Sequence, residues 1–195
     1  MAKAFSAHER EVIKSSMLVI TGKLIRQKNI RQITVEEITR HVDIAKGSFY
    51  SFYPSREELL WEVIKQEEKE LAEKIRQVSM KDLERKEKIR KIFSDLFLGE
   101  QCLVFYLSTE DISYLIRKLP PELIEHDRQV GHKLIESLLE MCGLARDSHD
   151  VELLMSMLHT LQFVASKDEL TNETKTRLLA IMVETFAGYL DQQGD

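Results

Sequence analysis

An all-α chain of about nine helices is predicted, on three observations. The 195 residues include only seven glycines and three prolines, so little interrupts a helix. Apolar residues recur at three- and four-residue spacing along most of the chain. Helix starts are written repeatedly as Ser or Thr with an acid three residues on, the pattern of a capping box. Together these divide the chain into a three-helix head over residues 1–54 and a longer helical body over residues 55–195.

Ser6 and Glu9 box the first helix, which carries Ile13, Met17, Ile20 and Leu24 on one face and ends near Lys28 and Asn29. Lys23, Arg26, Lys28 and Arg31 crowd its end, where cations suit the helix dipole and can equally face phosphate. Thr34 and Glu37 box the second helix, and Ile33 and Ile38 flank that box at the spacing of a hydrophobic staple. Ile38 and Val42 share a stripe, so this helix runs to about Val42. Asp43 and Ile44 leave only a tight connection before a third helix, Lys46 to about Phe52, which Pro54 stops. Ser55 and Glu58 box the next helix, which runs to about Gln77 with Leu59, Leu60, Val63, Ile64, Leu71 and Ile75 as its stripe. It joins head to body and is the natural lever for any signal, with Trp61 placed to wedge between the two.

In the body, Asp82 caps a helix with Ile89, Ile92, Phe93, Leu96 and Phe97 on its apolar face. Leu103–Leu107 is a near-continuous apolar run, read as helix because no second strand candidate exists to pair with it. Ser108 to Asp111 caps a short helix to about Leu119, and Pro120-Pro121 ends it and starts the next, which Gly143 stops. Ser148 and Thr171 or Asn172 cap the last two helices, which reach about Ser166 and Leu190. Leu154, Met157, Leu158 and Leu161 on the first, and Leu178, Met182 and Phe186 on the second, spread over more than one face. Such helices need two partners, and a second copy of the chain is the expected other, in a two-fold four-helix contact.

Two short helices joined by a tight turn form a helix-turn-helix, whose second helix enters the DNA major groove with its first residues at the base edges. A helical hairpin packed into a core is the plainer alternative, but the third helix is too short and too polar to be explained by packing alone. Lys46, Gly47, Ser48 and Ser51 are the base-edge candidates. Thr34, Tyr50, Tyr53 and Arg56 are the phosphate candidates, and Phe49 anchors the helix in the head.

Ala45–Leu60 reads AKGSFYSFYPSREELL. With Thr34-Val35-Glu36-Glu37-Ile38 before it, this stretch resembles the DNA-binding domain of TetR-family transcriptional repressors over about residues 10 to 62. It departs from that pattern at the turn, where Val42-Asp43-Ile44 replaces Ala-Gly-Val, and at Ala45, where a Ser or Thr cap is usual. Asp tolerates the left-handed backbone that glycine favours. The resemblance implies a homodimer on a palindromic operator and a body that holds a small apolar or aromatic effector. Phe93, Phe97, Tyr106, Tyr114, Leu134, Met155, His159 and Phe163 are the residues of suitable type to line such a pocket, with plain core as their alternative role.

The formal net charge is −5, which counts against nucleic acid, but residues 1–60 hold ten Lys and Arg against seven acids, a mildly basic head on an acidic body. No apolar run approaches the ~20 residues that span a bilayer, and the N-terminus lacks the apolar core of a signal peptide. A cytoplasmic protein is expected. Cys102 and Cys142, the only cysteines, are expected reduced. His126, His132, His149 and His159 do not fall at helical metal-pair spacing, and no phosphate loop or paired-carboxylate geometry is present. No metal site, no cofactor and no enzyme are therefore expected. The reading from a different class is a TetR-like interaction adaptor governed by a protein partner, with DNA contact secondary or lost.

Overall fold

A computed structural model of the chain describes residues 5–97, 103–144, 148–165 and 169–193; residues 96, 97, 104, 105, 109, 126–134, 148 and 193 are described in backbone only. All regular structure among the described residues is helical, as nine α-helices and two 3-10 turns. In order they are α1 (Ala7–Gln27), a 3-10 turn (Ile30–Gln32), α2 (Val35–His41), α3 (Lys46–Phe49), α4 (Arg56–Ser79) and α5 (Arg85–Phe97). A second 3-10 turn (Leu103–Tyr106), α6 (Thr109–Lys118), α7 (Pro121–Cys142), α8 (Ser148–Ala165) and α9 (Asn172–Gln193) follow. None of the described helices is long and apolar enough to cross a membrane.

The chain forms two compact units, one of Met1–Glu67 with Tyr106–Glu125 and one of Glu68–Phe105 with His126–Asp195. The first therefore runs past residue 54 and takes α6 out of the stretch assigned to the body.

In the first unit the boundaries are set by local bonds. Ser6 Oγ accepts from the Glu9 amide, and the Glu9 carboxylate accepts from the Ser6 amide, a complete capping box. Asn29 caps the 3-10 turn through the Arg31 amide at 2.9 Å. Thr34 accepts from the Glu37 amide at 3.2 Å, but the Glu37 carboxylate turns to the Lys28 ammonium rather than back to the cap. Ile33 and Ile38 are fully buried, as a staple requires. Met17, Leu24, Ile25, Leu59 and Leu60 complete this core, and each such side chain contributes about 1.5–3 kcal/mol on removal from water.

In the second unit α9 packs along α5 and α8. Leu179, Val183, Ala187 and Leu190 form the buried stripe of α9, against a core that includes Ile89, Phe93, Leu138, Leu154 and Leu161. Pro121 sits at the first position of α7, where its missing N–H costs no helical bond. Gly143 ends that helix at φ 70°, and the Leu144 amide closes onto the Leu139 carbonyl at 2.9 Å. Cys142 is fully buried, and burial pushes its thiol up to about 12, so it is an inert core residue. Cys102 lies outside the described residues.

Three expectations change. The third helix is one turn, Lys46–Phe49, and continues to Phe52 only as turns, because Ser51 and Phe52 bond three residues back and the Ser51 hydroxyl takes the Ser48 carbonyl at 2.7 Å. Leu103–Tyr106 is a 3-10 turn rather than part of an α-helix. Leu154, Met157 and Leu161 are buried in the chain's own core and do not face outward toward a second copy. Leu158, Met182 and Phe186 are half-buried at the margin of that core, and Leu178 is exposed.

Candidate nucleic-acid interface

The helix-turn-helix is built from the cap at Thr34 outward. α2 is short, and its last turn closes by the Val42 amide onto the Ile38 carbonyl at 3.3 Å. Asp43 then takes φ 54°, in the left-handed region, and the Ile44 amide returns to the Thr39 carbonyl at 3.1 Å. That reversal joins α2 to α3, which stay in contact. Ala45 occupies the cap position of α3 without a side-chain bond, so neither Asp43 nor any other side chain replaces the missing hydroxyl there.

Phe49 holds α3 to the head. It is fully buried, with Tyr50 edge-on at 5.4 Å and Tyr53 at 6.0 Å between ring centroids. Arg10 fixes the following turn, donating to the Ser51 carbonyl at 2.6 Å while lying over the Phe52 ring at 4.6 Å. With Phe49 inward, Lys46, Gly47, Tyr50 and Ser51 face outward, and Ser48 is half-buried between. Tyr50 is 56% exposed although its ring packs edge-on with Phe49. A Cβ added at Gly47 would meet nothing within 4 Å, so the protein's own packing does not demand glycine there. The bare backbone suits close approach by something outside the chain.

Of the eight residues expected to touch DNA, Lys46, Gly47, Ser48, Tyr50 and Ser51 lie on or beside this outward face, and Thr34 is exposed at the cap of α2. Two do not. Tyr53 is 3% exposed, its ring under the Lys14 ammonium at 5.3 Å, and burial, with Glu62 nearby, pushes its phenol far up. Arg56 is turned inward: Nη1 donates to the Ile33 carbonyl at 2.6 Å, and Nη2 reaches the Glu57 carboxylate at 2.6 Å and the Tyr114 hydroxyl at 2.9 Å. Both side chains support the head.

The face is only mildly basic in the free chain. Lys46 pairs with Glu36 of α2; its hydrogen bond holds the Glu36 carboxyl below the usual range, and Glu36 in turn raises the ammonium. Both groups are exposed, so the contact is easily exchanged for a phosphate. Lys14, Arg26 and Lys28 likewise have acidic partners, in Glu62, Glu67 and Glu37. Among the described residues, Lys23 and Arg40 are exposed and without an acid. Arg40, on the last turn of α2, was missed from sequence; its signal is its place two residues after Ile38, off the buried stripe.

The residues expected to line an effector pocket are dispersed. Phe93 is fully buried, Met155 half-buried, and Tyr106, His159 and Phe163 exposed. Tyr114 belongs to the first unit, bonded to Arg56 and Glu57. The side chains of Phe97 and Leu134 lie outside the described residues. Among those described, the second unit has a cleft of about 420 Å³ lined by Ile75, Arg76, Ser79, Arg85, Lys88, Ser137, Glu140 and Met141, none of them anticipated. No three His, Cys, Asp or Glu side chains among the described residues gather as a metal site.

Residues 21–63 match the family model described as bacterial regulatory proteins, tetR family. No curated protein matches the chain by sequence. In fold it is similar to the fatty acid degradation regulator FadR from Bacillus halodurans, at TM-score 0.63 and 17% identity over 95% of this chain and 97% of that one. It is similar also to a TetR transcriptional regulator from Legionella pneumophila, at TM-score 0.62 and 18% identity over 97% and 98%. RolR in complex with resorcinol matches at TM-score 0.54 and 16% identity over 97% and 96%.

Proposed function

Because the chain carries a tetR-family helix-turn-helix over residues 21–63 on a TetR-like fold, we propose that it is a transcriptional repressor binding a palindromic operator as a homodimer. The outward face of α3 carries this reading: Lys46, Gly47, Tyr50 and Ser51 stand exposed on a helix whose other side is anchored by buried Phe49. A lysine and hydroxyls serve base edges, and the tyrosine hydroxyl with Thr34 and Arg40 serves phosphates.

Dimerisation is supported by the second face of α9. Leu178, Ile181, Met182 and Tyr189 follow helical spacing; Ile181 is 56% exposed, and Phe163 on α8 is 60% exposed. Two-fold pairing there matches the symmetry of a palindromic site. A small-molecule effector is part of the proposal by analogy with the resorcinol-bound relative. The closed Glu36–Lys46 pair and the uncapped Ala45 favour the second reading, an adaptor that no longer reads DNA.

Selection from random duplexes, followed by a salt titration of the recovered sequence, separates the two. The repressor reading predicts a palindrome whose affinity falls steeply with salt, and Ile181→Glu reducing the protein to monomers that bind it far more weakly. Recovery of no sequence at low salt favours the adaptor.

A further inference from the structure

A side-chain network in the first unit joins α6 to the segment that leads into α2. From α6, the Tyr114 hydroxyl accepts from Arg56 Nη2 at 2.9 Å and donates to Glu57 Oε1 at 2.8 Å. Arg56 Nη1 carries the link onward, donating to the Ile33 carbonyl at 2.6 Å and the Arg31 carbonyl at 3.4 Å. A second anchor lies one turn earlier on α6. Asp111, 3% exposed, accepts from Asn29 Nδ2 at 3.3 Å and stands 3.8 Å from Arg31 Nε. The Arg31 guanidinium lies over the Tyr114 ring at 5.3 Å and donates to the Glu110 carbonyl at 3.3 Å. Burial alone would raise the Glu57 carboxyl, but bonds from Tyr114 and Arg56 outweigh it and hold it below the usual range.

These contacts converge on residues 29–33, just before the α2 cap at Thr34. α3 has one turn and no side-chain cap, so it cannot set its own direction. Phe49 holds it to the head, and the Asp43 reversal joins it to α2. Whatever fixes the start of α2 therefore helps to fix the pose of the outward face.

We infer that Tyr114 and Arg56 are positioning residues for DNA reading, through which α6 clamps the start of α2 and completes the DNA-binding unit from outside the helix-turn-helix. The inference rests on the DNA-reading proposal. Arg56 acts from inside: its side chain is 17% exposed, and its terminal nitrogens point at protein acceptors. A phosphate contact would need those bonds broken.

The test uses the full chain and the duplex recovered by selection, with wild type, Tyr114→Phe and Arg56→Gln titrated across a salt series. Amide exchange of α2 is measured on the same proteins without DNA. Loss of the two bonds that the hydroxyl makes to charged partners is expected to weaken DNA binding roughly tenfold or more in Tyr114→Phe, with faster exchange in α2 and an unchanged salt slope. Arg56→Gln is expected to weaken it further, again at the same slope. A slope reduced by about 0.9 in Arg56→Gln would instead make it a direct phosphate contact and overturn the positioning role. Unchanged affinity or unchanged α2 exchange in Tyr114→Phe, a variant that deletes only one hydroxyl, overturns it as well. If the wild type recovers no duplex, the DNA-reading proposal fails on that result alone, and faster α2 exchange then marks the network as structural only.

Discussion

The helix-turn-helix and the α5–α9 assembly are both helical, yet their shapes are set at different distances along the chain. In the head the helix caps and the turn are made within about four residues: Ser6 with Glu9, Asn29 with Arg31, Thr34 with Glu37, and a left-handed Asp43. In the second unit α5 packs on α9, and Phe93 meets a stripe that begins only at Leu179. Local bonds can be read from a sequence because both partners stand in the same short window. Distant packing cannot, because periodicity gives a face without naming what covers it.

Phe49→Ala probes this comparison with the largest effect. Removing a fully buried aromatic ring costs about 3–5 kcal/mol, and the head is the smaller assembly. Amide exchange is expected to show α2 and the turn losing protection while α5 and α9 keep theirs. Simultaneous loss in both would show a single cooperative block and remove the distinction. Asp43→Gly sharpens the comparison with the smallest effect. Glycine relieves a left-handed residue at φ 54° but loses more entropy on folding, so a gain of about 0.5–1 kcal/mol is expected in thermal melting. A loss would mean that the Asp43 side chain, and not its backbone, holds the turn.

The same distinction sorts the candidate site. Lys46, Gly47, Tyr50 and Ser51 are exposed because a buried Phe49 leaves its helical neighbours outside. Tyr53 follows Phe49 by four residues and packs beside it, a spacing that was visible and outweighed by its polar hydroxyl. Arg56 was not legible, since its partner Tyr114 lies 58 residues away. Tyr114 itself, an aromatic residue of the kind that lines pockets, shows its role only through the carboxylate and guanidinium beside it. Likewise Leu154 and Leu161 could not be told from Ile181 by hydrophobicity; only the fold shows which stripe the chain covers for itself.

As proposed, the outward face of α3 reads DNA and carries no part of the fold. Affinity for the selected duplex, measured beside the melting temperature in Lys46→Ala and Tyr50→Ala, tests it most directly. Both side chains are exposed, and the Glu36 pair is of the kind worth little to stability. The expected result is binding weakened by about tenfold or more in each variant, with melting unchanged. Native affinity in both variants, or a loss of binding that only tracks a loss of folding, would contradict it.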